Sequence, residues 1–117
     1  MTPDTRPNIL WFCADQMRHD TISALGNAEI RTPNIDRLVA RGTSFDNCYV
    51  QNQICTPSRA SFLTGRYPAA HRVYRNGNAY FPETERLVTK TLADAGYDCG
   101  LIGKLHLSTA ARLEARP

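Results

Sequence analysis

Apolar positions fall along this chain in two alternating rhythms. Residues 8–14 (Asn-Ile-Leu-Trp-Phe-Cys-Ala) form an almost unbroken apolar run, the pattern of a strand buried on both faces. From Pro33 the rhythm turns helical: Ile35, Leu38 and Val39 share one face, Thr32 stands where an N-cap belongs, and Gly42 stands where a helix stops. A second strand is predicted at 44–50. A short helix follows at 57–64, with Pro57 suited to its first position and Gly65 ending it. Residues 66–81 are irregular and rich in Tyr, Arg and Asn, long enough to be a functional loop. A third helix over 84–95 sets Leu87, Val88, Thr91, Leu92 and Ala95 on one side and stops at Gly96, and a third strand is predicted at 97–103.

Strands alternating with helices predict an α/β fold, a partly parallel sheet sandwiched by helices. Ligands of such sheets collect at the carboxyl ends of the strands. Asp15 directly follows the first strand, Cys55 lies in the loop after the second, and Lys104 and His106 follow the third. Alternation along an extended segment sends Lys104 and His106 to one side. Each residue alone has an ordinary explanation: Asp15 a helix cap, Lys104 a solvated turn residue, His106 a loop histidine. Their arrival at one sheet edge favours a functional reading.

Composition narrows the function classes. Hydrophobic residues make up 42% of the 117 and charged residues 21%, which describes an ordinary globular sequence. The net charge of +3 comes from basic residues scattered among acidic ones, so nucleic-acid binding is disfavoured. The apolar run after the polar first residues is too short for a signal-peptide core or a membrane span, and a cytoplasmic setting is expected. The cysteines at 13, 48, 55 and 99 form no Cys-x-x-Cys pair and no zinc-like spacing. Cys13, Cys48 and Cys99 sit in apolar runs and are expected to be reduced core thiols. Cys55 differs, with Gln51, Asn52 and Gln53 before it and Thr56, Pro57 and Ser58 after it.

Residues 55 to 66 carry the strongest signal: Cys-Thr-Pro-Ser-Arg-Ala-Ser-Phe-Leu-Thr-Gly-Arg. A helix N-terminus leaves backbone N–H groups unpaired and carries partial positive charge, so a tetrahedral oxyanion settles there. Helical side chains lean toward the N-terminus, which lets Arg59 reach back over the group at Cys55. This run resembles the signature of the type I sulfatases, Cys-x-Pro-Ser-Arg followed by Leu-Thr-Gly-Arg, in which the cysteine is converted to formylglycine. The resemblance implies an alkaline phosphatase-like fold. That family is several times longer than 117 residues, so residues 1–117 are expected to be the N-terminal portion of a sulfatase catalytic domain.

The resemblance extends to other residues. Sulfatases end the first strand in an acidic pair that binds a divalent metal, and here that position reads Asp15-Gln16. An amide oxygen can still serve a hard cation. The implied metal is Ca2+, with Mn2+ or Mg2+ as alternatives, and Cys55, as formylglycine, completes the implied ligands of this chain. Asp-Gln at this place is similar to the branch of choline sulfatases and phosphonate monoester hydrolases. Gly103-Lys104-Leu105-His106 is similar to the sulfatase Gly-Lys-x-His element, in which lysine binds sulfate oxygens and histidine contacts the nucleophile. Asn76 matches the spacing of a substrate-contacting asparagine of that branch, and is equally well explained as a turn residue. Arg66 is expected to support the signature helix.

The resemblance also implies a mechanism. Formylglycine at 55 is hydrated to a geminal diol, one hydroxyl attacks sulfur in line, the alcohol leaves, and the second hydroxyl then expels sulfate and regenerates the aldehyde. The metal, Lys104 and Arg59 stabilise the developing charge. The implied partners are a sulfate ester substrate, a formylglycine-generating or sulfatase-maturating enzyme, and the remainder of the enzyme chain with the later metal ligands and the acid for the leaving group. A membrane or nucleic acid is not among them, and a homo-oligomer is compatible with the resemblance. Alternatives are a phosphonate monoester or phosphodiester hydrolase on the same scaffold, and a catalytically silent assembly module.

Overall fold

The computed structural model describes residues 6–79 and 81–108, and the chain divides into two compact units, Met1–Asp46 and Asn47–Pro117. The predicted segment 108–117 and the ring of Tyr80 lie, apart from Ser108, outside the described residues.

In the first unit, helix α1 spans Pro33–Arg41, with Pro33 at its start and Gly42 closing it, as the pattern predicts. Two short 3-10 turns, His19–Thr21 and Ser23–Leu25, precede it. Thr32 occupies the N-cap position, but its hydroxyl does not cap the backbone. It donates instead to Asp36 Oδ1 at 2.7 Å and accepts from the Ser23 N–H at 2.9 Å. Asp36 Oδ1 also accepts from the Ala24 N–H at 3.0 Å. One Thr/Asp pair thus satisfies the backbone of the preceding turn, which is how a small unit without a large core is held.

The second unit is organised by helix α2, Cys55–Thr64, which starts two residues before the predicted boundary. Pro57 is therefore its third residue. That position is tolerated because the first four N–H groups of a helix have no intrahelical acceptor. Gly65 ends α2 in the left-handed conformation, φ +68°, and its N–H donates to the Ser61 carbonyl at 2.8 Å. A four-residue helix, α3 (Pro68–His71), follows inside the stretch expected to be irregular. Helix α4 is Val88–Asp94, shorter than the predicted 84–95; residues 84–87 belong to the approach, where the Glu85 N–H closes a turn on the Pro82 carbonyl.

The core of this unit is Ala60, Val73 and Leu107, each no more than 2% exposed, with Leu63, Phe81, Leu87 and Leu105 packed against it. It joins α2, the loop after α3 and the 105–107 segment.

The predicted sheet is not formed among the described residues. Segments 8–14, 44–50 and 97–103 contain no strand, and their large apolar side chains are exposed: Phe12 81%, Tyr49 80%, Ile102 fully. Strand composition alone does not make a strand, because each backbone N–H and C=O must find a ladder partner, and these segments exchange no ladder hydrogen bonds here. Cys13, Cys48 and Cys99 are correspondingly exposed free thiols rather than core thiols. No described helix is long and apolar enough to cross a membrane.

Candidate active site

Helix α2 buries an unusual set of side chains. Thr56, Arg59 and Ser61 are buried together with Pro57 and Ala60, so the inward face of the helix is largely polar. Polar groups removed from water need partners. Their hydrogen bonds tie the signature helix to other sequence-predicted residues of the second unit.

Cys55 is the first residue of α2, half-buried, and its thiol is not in a disulfide. The preceding Ile54 is extended and its N–H donates to Asn52 Oδ1 at 2.8 Å, which sets the entry of the chain into the helix. One residue on, the Thr56 N–H donates to Asn76 Oδ1 at 2.9 Å. Asn76 is therefore bonded to the first turn of α2, next to Cys55, from twenty positions away. The amide satisfies one of the helix's orphan N–H groups, the job an N-cap side chain usually performs from within the chain.

Arg59 is only 8% exposed, and its Nη1 donates to the Lys104 carbonyl at 2.6 Å. This bond joins the signature helix to the Gly103-Lys104-Leu105-His106 element. The Lys104 side chain belongs to an exposed residue, while His106 is half-buried. Gly103 and His106 both have left-handed φ, +101° and +54°. The segment is thus not a regular extended strand, and the simple alternation that would send Lys104 and His106 to one side does not apply to it. A non-glycine residue at positive φ costs free energy and is held only by its surroundings.

Asp15 and Gln16 belong to the first unit, where both are exposed; Gln16 also takes a left-handed φ of +56°. Their oxygen donors, a carboxylate and an amide carbonyl, are the donor types a hard divalent cation prefers. In the second unit, Nδ1 of His106 and Oγ1 of Thr56 are buried without a hydrogen-bond partner among the described residues. Thr56 and His106 each thus offer a buried atom to a polar group. Among the described residues no three His, Cys, Asp or Glu side chains gather to bind a metal ion by themselves.

Sequence reasoning did not single out Ser61, His71 or Glu85. The His71 ring is fully buried, lies 3.0 Å from Ser61 Oγ through Nε2, and accepts the Val73 N–H through Nδ1 at 3.1 Å. Burial is the largest influence on its pKa and lowers it below the ordinary 6.5; Glu85 and a backbone hydrogen bond oppose this, and Arg66 adds to it. Arg66 pairs with Glu85 Oε1 at 2.6 Å, so it ties the end of α2 to the approach of α4. A cavity of about 470 Å³ lies beside these residues, lined by Arg66, His71, Arg72, Val73 and Glu85 among others, and by none of Cys55, Arg59, Lys104 or His106. A lone His in an irregular segment, or a Ser in the middle of a helix, carries no spacing signal, so only the tertiary contact reveals the pair.

The comparisons with known proteins agree with the signature. The profile of the Sulfatase family matches residues 7–115. Human arylsulfatase H is 40% identical over 118 aligned residues, covering 92% of this chain, and human steryl-sulfatase is 41% identical, covering 88%. This chain spans 21% and 19% of the length of those two relatives. The solved phosphonate monoester hydrolase of Agrobacterium radiobacter superposes with a TM-score of 0.74 at 38% identity, covering 80% of this chain and 18% of that one. The backbone likeness is to an alkaline phosphatase-like hydrolase, although no sheet is formed among the described residues. With a family match over nearly its whole length and a signature helix tied to Asn76 and Lys104, the chain belongs to the sulfatase family.

Proposed function

We propose that this chain is the N-terminal portion of the catalytic domain of a sulfatase that hydrolyses sulfate monoesters, the remainder being supplied by further polypeptide. The observation that carries the reading is the hydrogen-bonded convergence on α2: Asn76 on the Thr56 N–H beside Cys55, and Arg59 on the Lys104 carbonyl.

Each residue has a defined task in this reading. Cys55, at the first position of α2, is the nucleophile precursor; as formylglycine it supplies a hydrated aldehyde whose hydroxyl attacks sulfur as the alcohol leaves, and whose second hydroxyl then loses its proton, expels sulfate and re-forms the aldehyde. The positive end of α2 and the Arg59 guanidinium bind the sulfuryl oxygens as charge spreads over them. The Lys104 ammonium adds a cation to the same group, and Asn76 presents its amide N–H to a substrate oxygen while its carbonyl oxygen caps Thr56. His106 hydrogen-bonds the nucleophile through its imidazole. Asp15 and Gln16 would hold a divalent metal, Ca2+ by their oxygen chemistry, with further ligands from the rest of the enzyme; when bound it would supply Lewis-acid chemistry. The setting we propose is cytoplasmic, with a maturating enzyme that converts Cys55.

Assay of the full-length polypeptide that contains this chain, with aryl sulfate, choline sulfate and phosphodiester substrates, tests the reading. Sulfate ester turnover that disappears in Cys55→Ala is the expected result; turnover confined to phosphonate monoesters or phosphodiesters would select the second reading, which the Agrobacterium neighbour favours. Intact mass of the peptide containing residue 55 is expected about 18 Da below that of the cysteine form, from the stoichiometry of the conversion. An unmodified, inactive protein would leave the assembly-module alternative.

A further inference from the structure

His71 sits where two ties to α2 can be controlled from one ring. Its backbone ends α3, its side chain is fully buried, and both ring nitrogens face partners: Ser61 Oγ of α2 on one side and the Val73 N–H on the other. The Val73 N–H is a donor, so Nδ1 must be the lone-pair nitrogen. The proton of the neutral ring is then on Nε2, which donates to Ser61 Oγ. Three residues beyond Val73, Asn76 accepts the Thr56 N–H. The segment from 71 to 76 is therefore pinned to α2 at two points, in its middle by Ser61 and at its first turn by Thr56.

We propose that His71 is a positioning residue for the candidate site: by bonding Ser61 and Val73 it fixes the path of residues 72–76 and so holds the Asn76 amide against the first turn of α2. Arg72 supports this reading. It adopts a left-handed φ of +60° at the C-cap of α3, a conformation that costs a non-glycine residue and that the His71 ring, bonded on both sides of it, maintains. Charge matters to the device. A second proton on the ring would go to Nδ1 and set two donors against each other, N–H against N–H. The charged groups that face the ring are Glu85, which favours the protonated form, and Arg66, which opposes it, with Arg72 on the wall of the same cavity.

The inference rests on the reading of α2 as the active-site helix, but its test does not require turnover. Hydrogen exchange of the Thr56 N–H in the full chain reports the Asn76 contact directly. In His71→Phe the Thr56 N–H is expected to exchange at least about tenfold faster, while the amide of Leu63, in the same helix, is unchanged. His71→Asn, whose side-chain oxygen can still accept the Val73 N–H, should restore most of the protection. Should the phenylalanine variant unfold, the same readout is available in the unsubstituted protein by lowering pH through the depressed pKa of the buried ring, which lies below the ordinary 6.5; there Thr56 exchange must accelerate beyond its intrinsic pH trend and Leu63 must not. Thr56 protection that is indifferent to both changes overturns the proposal. In the full-length enzyme, His71→Phe and Asn76→Ala should raise KM non-additively, because one acts through the other; additive effects would also overturn it. A protein without sulfatase activity whose Thr56 protection still depends on His71 would refute the enzymatic reading and leave the positioning role standing.

Discussion

The Arg59 guanidinium donates through Nη1 to the carbonyl oxygen of Lys104, 2.6 Å away and forty-five positions along the chain. A guanidinium is a planar fork of five donors, so committing one nitrogen to a backbone carbonyl sets the plane in which the others lie. The bond also fixes the backbone from which the Lys104 ammonium and the His106 ring project. The oxyanion recognition proposed for this region would then depend on one hydrogen bond between two remote segments.

The first prediction follows from that bond. Arg59→Lys preserves the positive charge but has no fork to span carbonyl and anion, so it is expected to fold and to lose about a hundredfold in kcat in the full-length enzyme. Arg59→Ala removes a charge-assisted hydrogen bond as well and should destabilise by about 1.5–3 kcal/mol in urea unfolding. A lysine variant with full activity would show that position 59 needs charge alone.

Substitutions at Asn76 can separate its capping of α2 from the substrate contact proposed for it. Asn76→Asp keeps an oxygen acceptor for the Thr56 N–H and adds negative charge at a helix N-terminus, so stability should be retained or rise slightly. The same charge repels a sulfate ester, and KM is expected to rise strongly. Asn76→Ala should cost about 0.5–1.5 kcal/mol of stability. Denaturation midpoints and steady-state kinetics on the two variants check the contrast.

What the sequence revealed was whatever is local. The signature around Cys55, the left-handed stop at Gly65 and the span of α1 follow from caps, helix breakers and apolar spacing, and the structure shows each at its place or within two residues of it. The three predicted strands rest on apolar runs, yet a strand is a property of a pair, and Leu10, Phe12 and Ile102 stand exposed in segments that form no ladder among the described residues. Thr32 has the composition of an N-cap and stands at that position, but its hydroxyl serves Asp36 and the Ser23 N–H and does not cap the helix, because partners outside the helix backbone competed with the local one. His71 and Ser61 were illegible for the same reason: a ring buried between a helix and a loop has no period and no motif.

Gly65 provides a clean stability prediction. Its φ of +68° is the conformation that an L side chain adopts only at a cost, and a Cβ built there meets nothing within 4 Å. Gly65→Ala should therefore destabilise through backbone strain alone, by about 1–2 kcal/mol, with no steric component. Gly65→Asn should cost less, since asparagine tolerates the left-handed region better. Thermal unfolding of both variants measures the difference.

The Arg66–Glu85 pair is asymmetric: the Glu85 side chain is 5% exposed and the Arg66 side chain 50%. Glu85 Oε2 has no hydrogen-bond partner among the described residues, so the carboxylate depends on Arg66 through Oε1. Arg66→Ala would strand a buried carboxylate and should cost about 1–3 kcal/mol. Glu85→Gln keeps an acceptor for Arg66 and removes the buried charge, so it should cost less than the arginine truncation. If urea midpoints put the two variants in the opposite order, the buried charge is not what Arg66 compensates.

The pH dependence of stability can be signed from His71. Burial is the main cause holding its pKa below the ordinary 6.5, so the unfolded chain takes up the proton first as pH falls. Between the unfolded value and the lower folded value the unfolded state binds more protons than the folded one, and the stability of the folded unit must therefore rise with pH across that window. Stability is complete above about 6.5, declines as pH drops below it, and the decline from this residue ends once the folded ring is protonated too. His71→Asn removes the titrating ring while keeping an acceptor for the Val73 N–H. Urea midpoints measured from pH 5 to pH 8 should accordingly slope upward in the unsubstituted protein and flatten in the variant over the part of the range just below 6.5. A variant that retained the full slope would mean that the pH dependence arises from groups other than the imidazole between Ser61 and Val73.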